Sequence, residues 1–239
     1  MKFAGLVKQS LTDYPGKIAA VLFSRGCNLR CPFCHNAHLL VRPGRNEAVA
    51  GEIEDQDLLA FLQERSGFLD AVVFSGGEPT INPELPEVIR RVKNAGYLVK
   101  LDTNGHNPLM LTQLLADDLL DYVAMDIKAP LDYKKYLEAS GRLSSEDFFN
   151  VRAAINLLQN SAVEVEFRTT VVPLWHRAED MVAIARHIKG ARLYCLQQFN
   201  PRATLEPGLS SVKPYSKEEL LELARLCQPY VDLVRIRNI

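Results

Sequence analysis

Short aliphatic and β-branched runs alternate with segments of helical period through most of the chain. Ile18 to Phe23, Ala71 to Phe74, Tyr97 to Leu101, Tyr122 to Met125, Val163 to Val172 and Leu193 to Leu196 are too short for helices and rich in residues that pack on a pleated surface, which predicts strands. Between them, residues near 55 to 65, 84 to 95, 108 to 118, 146 to 160 and 178 to 188 repeat their apolar positions at helical spacing. Pro83 opens one of these helices and Gly96 follows its end, the usual punctuation of a helix. A helix from about Lys217 to Leu226 and a short run from Leu233 to Ile236 complete the series. Strands and helices alternating in this way argue for an α/β fold with a parallel sheet.

The strands are not apolar on both sides. Side chains alternate along a strand, so Glu164, Glu166, Arg168 and Thr170 share one face while Val163, Val165, Phe167 and Val171 share the other. Leu98, Lys100 and Asp102 lie together, as do Tyr122, Ala124 and Asp126. A sheet buried on both faces would read as nearly continuous apolar runs. The polar face therefore lines either a lumen open to a ligand or an interior filled with ion pairs, and periodicity leaves an open sheet and a curved partial barrel as alternatives. Polar groups collect at the strand ends: Ser75-Gly76-Gly77-Glu78-Pro79, Asp102-Thr103-Asn104-Gly105, Asp126-Ile127-Lys128 and Gln197-Gln198-Phe199-Asn200. That carboxyl edge is where α/β barrels place their chemistry.

Length and charge narrow the class. With 239 residues, 47% of them hydrophobic, one sizeable core is expected, as a single domain over 1–239 with an extension from about 200. A formal charge of −1 provides no broad field for nucleic acid or an anionic membrane. No apolar run is long enough to cross a bilayer, and Phe3 to Val7 runs into Lys8 without a cleavage-type sequence, so a cytoplasmic protein is expected. Cys195 and Cys227 are isolated in apolar settings and predict inert core thiols.

The other three cysteines carry the chemistry. Cys27, Cys31 and Cys34 fall within Gly26-Cys27-Asn28-Leu29-Arg30-Cys31-Pro32-Phe33-Cys34-His35-Asn36, a loop spanning 25–36, and three thiolates on one loop can grip a metal centre while leaving one position open. A zinc site completed by His35 or His38 is the competing possibility, although structural zinc sites usually draw two separated ligand pairs. Val41 to Glu52 lacks periodicity and is expected as a loop over the cysteines. Trp175 and His176 are expected as ordinary packing or surface residues.

The Cys-x3-Cys-x2-Cys spacing followed by His-Asn resembles the signature of radical S-adenosylmethionine enzymes. The resemblance extends from Ser10-Leu11-Thr12-Asp13-Tyr14-Pro15-Gly16-Lys17 to Gln197-Gln198-Phe199 and is closest to the glycyl radical enzyme activases, in particular the branch serving anaerobic ribonucleoside-triphosphate reductase. It implies a partial (β/α)6 barrel, and a [4Fe-4S] cluster on Cys27, Cys31 and Cys34 whose fourth iron chelates S-adenosylmethionine. Gly76, Gly77 and Glu78 match the motif for the methionine amino group. Asn36, Asp102, Asn104, Asp126, Lys128 and Arg168 match positions near the cofactor, where the two aspartates can also hold a monovalent cation. Beyond the cluster ligands no catalytic acid or base is implied. The implied partners are a glycyl radical enzyme and a flavodoxin- or ferredoxin-like electron donor. Asp13-Tyr14-Pro15-Gly16 departs from the Asp-Gly-Pro-Gly of other activases, and no second cysteine group provides extra clusters. A related enzyme acting on a small molecule or peptide, such as a deazapurine precursor, and a zinc-stabilised binding module remain as alternatives.

Overall fold

A computed structural model describes residues 1–40 and 53–238; the loop expected at Val41 to Glu52 lies outside the described residues. By backbone proximity the chain divides into two compact units. The first comprises Met1–Cys27, His38–Thr103 and Leu109–Val123. It contains β1 (Lys2–Ser10), β2 (Ala19–Ser24), β3 (Ile53–Glu54), α1 (Asp55–Glu64), β4 (Ala71–Gly76), α2 (Leu85–Asn94), β5 (Leu98–Thr103) and most of α3 (Pro108–Ala116), and it takes in the first two residues of β6 (Tyr122–Asp126). Its strand order is β3-β1-β2-β4-β5. β1 runs antiparallel to β2 and β3, whereas β2, β4 and β5 are parallel, with Ala19 beside Ala71 and Ala71 beside Leu98.

β2 and β4 form because their central residues are apolar on both faces, whereas β5 sets Lys100 between Val99 and Leu101. Ala71, Val72, Val73 and Phe74 are all fully buried, each large side chain stabilising the fold by about 1.5–3 kcal/mol. One face of α2, Leu85, Val88, Ile89 and Val92, is buried as well. Pro86 rather than Pro83 occupies its first turn, where a missing N–H costs nothing, and Gly96 follows with φ +89°.

The second unit comprises Asn28–Ala37, Asn104–Pro108 and Ala124–Ile239. Beyond the end of β6 it holds α4 (Tyr133–Ser140), α5 (Ser145–Gln159), β7 (Glu164–Val171), α6 (Ala178–His187), β8 (Tyr194–Gln198), α7 (Lys217–Cys227) and β9 (Val234–Arg237), in strand order β6-β7-β8-β9. β7, β8 and β9 are parallel, with Arg168 beside Cys195 and Cys195 beside Arg235. Reciprocal capping boxes fix the starts of α5 (Ser144 with Asp147) and α7 (Ser216 with Glu219).

The α/β alternation expected from the sequence is present. Three elements were not foreseen: β1, β3 and α4. α4 is only eight residues long, about two turns, too short for a helical period to stand out, and it is held by its ends, the Asp132 side chain accepting from Lys135 N and Gly141 adopting φ +67° at its close. The strands also run one or two residues further than their apolar cores. Gly76, Asp102, Thr103, Asp126 and Gln198 are thus strand residues rather than loop residues, because ladder hydrogen bonds continue past the last apolar side chain. Among the described residues no helix is long and apolar enough to cross a membrane.

Candidate functional site

In the first unit the Gly76-Gly77-Glu78 turn is packed against the chain leading into the cysteine loop. Gly77 N–H donates to Ser24 O (2.9 Å) and Glu78 N–H to Gly26 O (2.8 Å). Neither glycine could carry a side chain: a Cβ on Gly77 would lie 1.8 Å from Gly26 O, and Gly76 combines φ +109° with Ser24 N at 2.4 Å from the same position. Glu78 is buried, and its Oε1 accepts from Thr80 N (3.1 Å), Thr80 Oγ1 (2.6 Å) and Thr103 Oγ1 (2.8 Å). The carboxylate ties the end of β4 to the end of β5. Asp102 accepts from the buried Lys100 ammonium at 2.6 Å on one oxygen and from Ser75 Oγ at 2.9 Å on the other. Cys27 is partly exposed and forms no disulfide.

The rest of the cysteine loop belongs to the second unit and is fastened there from two sides. Arg30 N–H donates to Ser140 O (2.9 Å) at the end of α4, and Gly141 is so close that a Cβ would sit 2.1 Å from Arg30 O. Asn104 Nδ2 donates to Asn28 Oδ1 (2.8 Å), and Asn28 Nδ2 donates to Asp147 Oδ1 (3.1 Å) in the capping box of α5. Asn104 thus acts on the loop carrying the cysteines. Phe33, between Cys31 and Cys34, packs at 5.8 Å against Trp175.

Cys31 is buried and Cys34 partly exposed, both free thiols. Burial pushes the Cys31 thiol up to about 11, opposed by the nearby Lys128 ammonium. Burial raises Cys34 too, and the Asn36 N–H that it accepts works the other way. His35 and His38, the candidates for a fourth zinc ligand, are both exposed. Among the described residues no three His, Cys, Asp or Glu side chains are gathered as a ready-made site for a single ion. The donor set itself, soft thiols with an ammonium beside Cys31 to favour the thiolate, suits an iron–sulfur centre.

The polar face of β6 and β7 proves to be a series of ion pairs. Asp126 accepts from Lys128 Nζ (3.1 Å) on one oxygen and from Arg168 Nε (2.8 Å) on the other. Burial works to raise its carboxyl, but Arg168 and Lys128 hold it well below the usual carboxylate range. Burial disfavours the Lys128 charge, yet Asp126 and Cys31 keep the ammonium above the ordinary lysine range. Glu166, fully buried, is gripped by both guanidinium nitrogens of Arg237 (3.0 and 2.8 Å), with Arg168 Nη1 at 3.9 Å.

Several of these partners were not singled out from the sequence. Lys100 was placed on the face of Asp102, and the i, i+2 spacing was the available signal. Arg237 gave none, since it lies 71 residues from Glu166. His176, expected as an ordinary residue, is fully buried: Val172 N–H donates to Nδ1 (2.9 Å), so Nε2 carries the proton and donates to Lys128 O (2.9 Å). Burial lowers its pKa to about 4. Cys195 and Cys227 are buried core thiols, raised by burial to about 11 and about 12.

Comparison with known proteins agrees with this chemistry. Residues 21–188 match the family model described as the radical SAM superfamily. The chain is 37% identical over 239 residues to a protein provisionally named glycyl-radical enzyme activating enzyme MJ1227, from Methanocaldococcus jannaschii, covering 99% of this chain and 95% of that one. It is 33% identical over 187 residues to the pyruvate formate-lyase-activating enzyme of Clostridium pasteurianum, covering 76% and 74%. In fold it resembles the crystal structure of QueE from Escherichia coli, with a TM-score of 0.57 at 16% identity, over 98% of this chain and 92% of that one.

Proposed function

The chain belongs to the radical S-adenosylmethionine superfamily, as an oxidoreductase of the glycyl-radical activating kind, and we propose that its client is anaerobic ribonucleoside-triphosphate reductase. The observation carrying this assignment is the run of three cysteines, Cys27, Cys31 and Cys34, in eight residues of a chain alike over its whole length to an activating-enzyme relative. These thiols would hold three irons of a [4Fe-4S] cluster. Held there, the cluster would supply the electron for reductive cleavage of S-adenosylmethionine, chemistry that would serve to remove a hydrogen atom from a backbone glycine of the client.

The chain's own residues bind and orient. Gly76 and Gly77 would receive the methionine amino group through their main chain, with Glu78 as a carboxylate acceptor beside them whose Oε1 is held by Thr80 and Thr103. Arg168 would take the carboxylate, its planar fork suiting a second carboxylate beside Asp126. Asn36 steadies Cys34, Asn104 steadies the loop through Asn28, and Lys128 offsets the negative charge of Cys31. Asp102 would flank the cofactor, held by Lys100. Each aspartate considered for a monovalent cation is already held within its own unit, Asp102 by the Lys100 ammonium and Asp126 by Lys128 and Arg168, which a cation would have to displace. No residue need act as general acid or base. The electron comes from a flavodoxin- or ferredoxin-like donor, and the setting is a reducing cytoplasm, where an accessible cluster survives.

The test is electron paramagnetic resonance on reduced, anaerobically reconstituted protein mixed with S-adenosylmethionine and the reductase. A glycyl doublet with release of 5'-deoxyadenosine is expected. Cleavage without a doublet would remove the reductase as client and turn attention to a small-molecule or peptide substrate. No cleavage at all from cluster-loaded protein would sink the proposal.

A further inference from the structure

The buried carboxylate of Glu166 has two arginines within reach. Arg237 grips both its oxygens, at 3.0 and 2.8 Å, while Arg168 stands 3.9 Å away and directs its Nε to Asp126 at 2.8 Å. The sheet register makes this possible. Thr170 lies beside Gln197, and Gln197 beside Arg237, so one face continues from β7 across β8 to β9. Along it the charges alternate: Lys128, Asp126, Arg168, Glu166, Arg237. A carboxylate with no exposed surface must either keep a cation or lose its charge, and the next cation on this face is Arg168.

We infer that Arg237, in the last strand, is a positioning residue for Arg168: by satisfying Glu166 it leaves the Arg168 guanidinium on Asp126, where it can receive a ligand carboxylate. This rests on the assignment of Arg168 to the carboxylate of S-adenosylmethionine. Without Arg237, Glu166 draws Arg168 along the strand, away from Asp126. If Glu166 is also made neutral, that pull vanishes and Arg168 returns.

Two measurements on the full chain test this. The first is the nitrogen-15 resonance of the Arg168 Nε–H, assigned by its loss in Arg168→Lys. It should shift in Arg237→Ala and return in Glu166→Gln/Arg237→Ala. The second is S-adenosylmethionine cleavage by the reconstituted protein. Arg237→Ala should weaken apparent affinity about tenfold, the scale of one lost charge-assisted hydrogen bond. Its maximal rate should be little changed, and the double variant should recover most of the affinity. An unmoved Arg168 resonance in folded Arg237→Ala overturns the inference, whether or not the protein cleaves its substrate. A resonance that shifts and returns while affinity stays constant upholds the positioning by Arg237 and overturns the carboxylate role of Arg168. If Arg237→Ala does not fold, a folded double variant with the native resonance supports the inference, and a double variant that also fails to fold overturns it.

Discussion

At Glu78 a single carboxylate oxygen accepts three hydrogen bonds inside the first unit, so its contribution is structural before it is chemical. Replacing it with glutamine keeps the shape but removes the charge that strengthens those bonds. Glu78→Gln should lower the unfolding free energy by about 1–3 kcal/mol in urea titration, the cost of weakening buried charge-assisted bonds. His176 gives a second prediction, in pH. The unfolded chain takes up a proton near pH 6.5, while the folded imidazole, buried and neutral, resists until about 4. Between those values the unfolded state binds more protons, so stability is complete above pH 6.5 and falls as the pH drops toward 4, by about 3 kcal/mol in all. Urea unfolding of the wild type across this window should show the decline, and His176→Gln should be less stable at neutral pH but lack most of the slope. These environments were hidden in sequence because burial is a property of the packed chain. His176 and Lys128 lie 48 residues apart, yet the histidine donates to the lysine's main chain.

Among the elements, α4 has the clearest functional consequence and is the shortest of the described α-helices. Its last residues and Gly141 press on Arg30, so the helix end forms one wall of the loop bearing Cys31 and Cys34. Gly141→Ala would combine strain at φ +67° with a Cβ 2.1 Å from a main-chain oxygen. A loss of about 1–3 kcal/mol is expected, as for other overpacked or strained sites. Because the displaced atoms belong to the cysteine loop, iron content after anaerobic reconstitution should drop as well. An alanine at Gly190, also at positive φ but with nothing within 4 Å of the added carbon, should cost stability through strain alone and leave iron content unchanged. The long helices and central strands were legible from periodicity; α4 was not, since its eight residues make only about two turns, too few for a period to stand out.

Considered as a whole, the molecule draws its stability from apolar strands and helix faces in each unit, and Cys27, Cys31 and Cys34 occupy one loop. A cluster-free protein prepared with a chelator should therefore keep its far-ultraviolet circular dichroism and a cooperative thermal transition. Cys31→Ala should do the same while losing iron and cleavage activity. A zinc-stabilised module would behave oppositely, unfolding once its metal is removed. The buried ion pairs point the same way: because buried pairs are screened far less than exposed ones, raising salt from 0.1 to about 1 M should change stability little.

The cysteine spacing and the alternation of strands and helices were written in the order of residues, because a loop that grips metal and a repeating period are local requirements, whereas the room denied to a Cβ at Gly76 and Gly77 is taken up by Ser24 and Gly26, far away in sequence. Which cation meets which carboxylate was settled only by folding. Asp126 with Arg168, and Glu166 with Arg237, are joined across 42 and 71 residues, and strand register rather than sequence distance brings them within hydrogen-bond reach.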